Sequence, residues 1–195
     1  MKTTLKTIIP LIAILALWLS GCSGESQPKE SGPEAMTRAD TCHVCGMIVL
    51  DQQGPKGQAR VSVTPARLNF CSTSDLMAFL FQPDSRTIVR EAWVHNMHGA
   101  DWQSPPNRAD AYLNAFEAWY VLDHDRRGAM GHTLAPFASQ AQAEAFVAQH
   151  GGRVLRFDEI DMELIVNMAS YAFPDVDSVR DFNPEVELGG DHHHH

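Results

Sequence analysis

The sequence predicts an α+β domain made of two small related ββα units, with antiparallel strands and helices packed on them. Three observations carry this expectation. Two segments, one through Leu68, Phe70 and Ser72 and one through Leu134, Phe137 and Ser139, each pass from a strand end, through a serine, into an amphipathic helix. Ser72 with Asp75, and Ser139 with Gln142, have the spacing of a helix capping box. A glycine–methionine pair precedes each segment, Gly46-Met47 in the first and Met130-Gly131 in the second.

The remaining elements follow in order. Residues 59–63 alternate apolar and polar side chains, the pattern of a strand with one buried face. Residues 87–90 and 92–94 read as extended. Residues 118–122 form a strand that leads into the polar turn 123–128, and the chain is expected to return as a strand from Met130 to Leu134, closing a hairpin. The helix after Ser139 ends at Gly151-Gly152, a natural left-handed stop. Residues 153–157 read as a strand and residues 159–172 as a final helix.

The N-terminus speaks to compartment. Lys2 and Lys6 precede an apolar run of about a dozen residues, which suits a signal peptide and falls short of the roughly 20 needed to span a bilayer. The run ends in Leu19-Ser20-Gly21-Cys22, which resembles a bacterial lipobox, where the chain is cut before a cysteine whose thiol is acylated. Residues 1–21 are therefore expected to be a lipoprotein signal peptide and Cys22 the lipidation site. Ser23, rather than aspartate, follows, and by resemblance to sorted lipoproteins this favours the outer membrane. Residues 22–39, rich in Ser, Pro, Gly, Glu and Lys, are expected to be a flexible tether. Residues 40–173 hold the folded domain. Residues 174–195 form an acidic tail, expected to be unfolded, whose closing run His192 to His195 reads as an expression tag rather than a metal-scavenging end.

Removal of residues 1–21 takes away Lys2 and Lys6 and no acid, so the formal charge of −9 becomes −11. This argues against nucleic acid as a partner, because a basic face is then expected. No G-x-S-x-G motif supports nucleophilic hydrolysis, and paired carboxylates occur only in polar turns. The chain reads as a non-enzyme.

Soft donors concentrate at Thr41-Cys42-His43-Val44-Cys45-Gly46-Met47 and again at Met130-Gly131-His132. Thiolate, thioether and imidazole are the ligands that Cu(I) prefers. In extended chain, residues two apart face the same way. Cys45 with Met47, and Met130 with His132, would then each offer a two-ligand face, and the repeat would set those faces together. With no second CxxC and no HxxxH, a zinc ribbon fits poorly. His95 and Met97, flanked by Trp93 and Trp102, are auxiliary metal candidates, as is Cys42. If Cys22 is lipidated, Cys42, Cys45 and Cys71 remain in an oxidising compartment; three cannot all pair, so at least one is free, metal-bound or joined to another molecule. Cys42 can bridge to Cys71 or Cys45, or serve as an auxiliary ligand. A CxxC thiol oxidoreductase is a rival reading, but that motif belongs between a strand and a long helix of a βαβ unit, and here a polar turn at residues 51–57 follows it.

The lipobox, Cys42-x-x-Cys45-Gly46-Met47, Met130-Gly131-His132, Pro136-Phe137-Ala138-Ser139 and Phe157-Asp158-Glu159 together resemble the NosL family of accessory lipoproteins, encoded with nitrous oxide reductase in denitrifying bacteria. The resemblance spans roughly residues 40–160. It implies a periplasm-facing Cu(I) chaperone that delivers copper for assembly of the reductase's copper centres. The implied partners are the apo-reductase and the membrane transporter and periplasmic protein of its copper-assembly pathway. It also implies a fold of two related ββα units. Carried over by motif, the ligand candidates are Cys45, Met47, Met130 and His132. Ala129 stands where the family often has proline before the second Met-Gly, a departure that bears on the local turn. A copper sensor or scavenger without a delivery partner is the alternative that shares this site.

Overall fold

The computed structural model describes residues 32–170. The signal peptide, Cys22, most of the tether, and the tail with its histidine run lie outside the described residues.

Each half of the domain lays down two strands, a helix and a returning strand. The first half has β1 (Gly57–Val61), β2 (Arg67–Phe70), α1 (Thr73–Leu80), α2 (Pro83–Ile88) and β3 (Val89–His95). After β4 (Tyr112–Asn114), the second half has β5 (Trp119–Leu122), β6 (Ala135–Phe137), α3 (Gln140–His150) and β7 (Arg153–Arg156); α4 (Met162–Ser170) closes the described chain. The sheets run β2-β1-β3-β4 and β6-β5-β7, so in both halves the first strand is central, flanked by the second and third. Their pairings are all antiparallel. The expected ββα repeat is present, and a third strand of the same placement extends it in each half.

Local chemistry explains the helix starts. Ser72 and Ser139 both have extended backbone, and their hydroxyls accept from the N–H of Asp75 at 3.1 Å and of Gln142 at 3.4 Å. Gly151 ends α3 with φ 71°. Helix α1 lies so close over β1 that a Cβ on Gly57 would meet Leu76 at 2.8 Å. Leu76, Met77 and Leu80 join Ala59, Phe70, Val94 and Tyr120 in the main core, which α4 completes with Ile165 and Met168. A second core under α3 gathers Met97, Trp102, Val121 and Phe137.

Three expectations are corrected. Thr87 and Ile88 end a helix rather than begin a strand, because Pro83 starts a helical turn that its fixed φ favours. The chain from Met130 to Leu134 is not a strand: Gly131 has φ 110° and its carbonyl accepts from Gly128 N–H at 2.7 Å, so β6 begins only at Ala135. The final helix starts at Met162, after a 3₁₀ turn at Phe157–Glu159, where Asp161 accepts from Leu164 N–H at 2.8 Å. Residues 32–39, expected in the tether, lie along the domain. Their Met36 side chain is buried, Glu34 N–H donates to Gln58 Oε1 at 3.0 Å, and Met36 N–H donates to Asn107 Oδ1 at 2.7 Å. Among the described residues no helix is long and apolar enough to cross a membrane.

Candidate metal centre

The first cysteine pair sits on a tight loop rather than on extended chain. Cys42 N–H donates to Met47 C=O at 2.8 Å, Gly46 N–H donates to Cys42 C=O at 2.9 Å, and Thr41 bridges to Ile48. Gly46 has φ 75°, which glycine adopts without strain. A parallel bridge from Cys42 to Asn69, with His43 N–H donating to Asn69 C=O at 2.8 Å, ties this loop to β2. Two residues beyond Asn69 stands Cys71, at the junction of β2 and α1. The chain's own ladder therefore delivers a third thiol to the CxxC loop.

Cys45 Sγ lies 3.4 Å from Cys71 Sγ, and Cys71 Sγ donates to Asp75 Oδ2 at 3.0 Å. Cys42 Sγ is 3.9 Å from the same oxygen. One donor atom from each of Cys42, Cys45, Cys71 and Asp75 falls within 4.8 Å of all the others, and no other such His, Cys, Asp or Glu group occurs among the described residues. All three cysteines are free thiols. Cys42 and Cys71 are buried, whereas Cys45 is half-buried at the mouth.

The electrostatics draw Cys42 and Cys71 in opposite directions. A hydrogen bond from Cys71 pulls the Cys42 thiol down to about 4, helped by the backbone N–H groups of Cys71, Cys45 and Val44 and opposed by burial. Cys71 is pushed up by that same hydrogen bond, then by burial and by Asp75. Burial raises Cys45 and Asp75. Beside them Lys56 is only 2% exposed, and burial lowers it to about 8 against the pull of Cys71.

The second motif borders this cluster. Ala129 packs against the same small core as Cys42 and Cys71, together with Cys45, Met47 and Leu50. Ser74, in the first turn of α1, donates to His132 C=O at 3.4 Å. Met130 is 54% exposed, a large apolar side chain turned to solvent. His132 Nδ1 lies 3.0 Å from Arg127 Nη1, and burial and that guanidinium lower its pKa. The structure thus brings Cys45 and Met47 to the cluster and places the Met130–His132 loop at its edge. The His132 nitrogens are not part of the 4.8 Å group.

His95 and Met97 go elsewhere. His95 is buried, its Nδ1 accepts from Lys56 N–H at 3.0 Å, and its ring stacks on Tyr112. Strand β3 ends at His95, so the alternation that would put Met97 on the same face stops there; Met97 packs into the second core beside Trp102 and Phe137. Burial and the Lys56 charge hold His95 down at about 3. The sequence leaves Cys71 among three cysteines of which at least one is free, metal-bound or joined to another molecule, and offers Asp75 only as a cap. Cys71 lies just before the Ser72 cap and Asp75 in the first turn after it, so the local signal for the pair is their placement on either side of one helix start.

A NosL family profile matches residues 33–165 of the chain. The copper-binding lipoprotein NosL of Stutzerimonas stutzeri is 41% identical over 162 residues, covering 82% of this chain and 83% of that protein. The copper-binding lipoprotein NosL of Achromobacter cycloclastes is 34% identical over 169 residues, 85% of each chain. The crystal structure of the copper chaperone NosL from Shewanella denitrificans superposes with a TM-score of 0.65 at 37% identity, covering 69% of this chain and 99% of that one. With a whole-domain profile match, close relatives aligned over most of their length, and the same arrangement of strands and helices, the chain belongs to the NosL family.

Proposed function

We propose that this protein is a Cu(I) carrier, anchored through an acylated Cys22 and facing the periplasm from the outer membrane, that hands copper to apo nitrous oxide reductase together with that pathway's membrane transporter and periplasmic protein. The observation that carries this reading is a cluster of three free thiols with one member, Cys45, at the mouth, beside a loop that offers Met130 and His132. Thiolate, thioether and imidazole match the softness of Cu(I). The names of the S. stutzeri and S. denitrificans relatives support the choice of metal.

Cargo is held at the rim by Cys45, Met47, Met130 and His132. A carrier must bind tightly and still let go. Low coordination at an edge lets an incoming ligand attack before the old ones leave, and the exposure of Met130 suits a donor that swings onto and off the ion. The test is anaerobic Cu(I) loading of the full-length protein in detergent, followed by mixing with apo-reductase. Transfer with gain of reductase activity supports delivery, and loading without transfer makes the protein a scavenger or sensor. Cys22→Ser is expected to leave copper loading intact while moving the protein out of the membrane fraction.

A further inference from the structure

Building on the reading above, we propose that Cys42, Cys45 and Cys71 form an inner three-thiolate Cu(I) site that shares Cys45 with the rim set and has the buried Lys56 ammonium as its counter-charge.

The geometry is close to what one ion requires. A thiolate sits about 2.3 Å from its metal, so two on the same ion are at most about 4.6 Å apart. The three sulfurs already lie within 4.8 Å of one another, with the Cys45–Cys71 pair at 3.4 Å. They approach from two directions, Cys42 and Cys45 from the 41–48 loop and Cys71 from the end of β2. In the metal-free protein the Cys71 thiol donates to Asp75 Oδ2, a hydrogen bond that is given up when the thiol loses its proton to bind copper. The rim set contains none of this inner wall except Cys45.

Lys56 is the independent observation. A lysine only 2% exposed is costly unless its charge is compensated. Its Nζ donates to Gln52 C=O at 2.5 Å and Gly54 C=O at 2.7 Å, and both partners are neutral. Gly57 pairs with Phe70 at the end of the β1–β2 ladder, so Lys56 directly precedes one member of that pair and Cys71 directly follows the other. A three-thiolate complex carries more negative charge than the rim set with its single thiolate, and so gains more from a buried cation there. Cu(I) held by three thiolates is a complex of charge −2, and the cysteine protons pass to solvent as it forms. The Lys56 ammonium offsets one of those two charges. Copper passes between rim and inner wall by ligand exchange around Cys45, with no change of oxidation state.

The experiment compares full-length variants in detergent under anaerobic conditions, with Cu(I) affinity from chelator competition, the copper shell from X-ray absorption, and circular dichroism of each apo variant as the folding check. In Met130→Leu/His132→Ala, one Cu(I) should remain bound in a three-coordinate, sulfur-only shell. In Cys42→Ser/Cys71→Ser, bound copper should show nitrogen in its shell, with affinity down about tenfold or more, the scale of a lost supporting group. Lys56→Gln, placed in the rim-variant background, should weaken Cu(I) about tenfold. The inner site is overturned if the rim variant, folded, binds no copper, if its shell still contains nitrogen, or if Zn(II) binds it as tightly as Cu(I). Failure of the wild-type protein to bind Cu(I) at all would instead overturn the carrier reading.

Discussion

Cys45 and Cys71, 26 positions apart in the chain, place their sulfurs 3.4 Å from one another, and neither is bonded to another cysteine. A CxxC loop and a strand end have been folded into one thiol pair. Two free thiols at that separation are poised to form a disulfide under oxidising conditions.

Thiol–disulfide exchange with a small disulfide oxidant should therefore join Cys45 to Cys71, with two hydrogens lost from the protein and two thiols released from the reagent. Copper binding should fall with the same time course and return on reduction. Peptide mapping by mass spectrometry identifies the bridge. A bridge mapped instead to Cys42–Cys45 contradicts the geometry.

Acid should weaken the fold through buried histidines. His124 is buried, its Nδ1 accepts from Arg126 N–H at 3.1 Å, and burial depresses it to about 4. The folded protein keeps this ring neutral, while the unfolded chain takes up a proton near the ordinary 6.5. Stability from this group is complete above that value and is lost as pH falls toward 4, by at most about 1.4 kcal/mol per pH unit for one ring. His95 acts in the same direction. Urea midpoints measured from pH 7 down to 4 should drop, and His124→Gln should flatten the drop. An unchanged slope in that variant means that His124 titrates alike in both states.

The two glycines that end α3 should respond very differently to alanine. Gly151 has φ 71° with open space around a would-be Cβ, so Gly151→Ala should cost about 1 kcal/mol for backbone strain alone. At Gly152, with φ 96°, a Cβ would lie 2.2 Å from the Leu122 carbonyl oxygen, and backbone cannot yield cheaply. Gly152→Ala should cost about 3 kcal/mol or more. Thermal unfolding distinguishes them, and equal shifts would refute the close packing of α3 onto β5.

Much of this fold was legible in the sequence because its signals are local. Ser72 and Ser139 announce two helix starts, Gly151 a helix end, and the alternation through Ala59 and Val61 a strand. Long-range pairing was not legible. Nothing local says that Cys42 will bridge to Asn69 and so meet Cys71, or that Gly57 will pair with Phe70. Asp75 is legible only in part: its backbone caps with Ser72 as its spacing indicates, while the hydrogen bond its carboxylate accepts from the Cys71 thiol has no local signal. The period-two argument for Cys45–Met47 and Met130–His132 also failed locally, because Gly46 and Gly131 take positive φ and bend both segments into turns. What joins the second segment to the cysteine loop is the packing of Ala129 on the cysteine core and the Ser74–His132 carbonyl contact, rather than paired strands.

Residues that act on one ion are coupled, whereas independent sites add. A double-mutant cycle of Cys45→Ser with His132→Ala, read by Cu(I) competition, should accordingly be non-additive. Additive losses would place the two motifs on different ions.

The most direct test of the whole account is the Cu(I) affinity of the full-length protein and its Cys45→Ser variant, measured anaerobically against a chelator of known affinity. Cys45 belongs to both the rim and the inner set and supplies the thiolate at the mouth of the cluster. The account predicts one tightly held Cu(I) per chain in the wild type and a loss of about a hundredfold or more on Cys45→Ser. Equal Cu(I) affinity for the two proteins would contradict it.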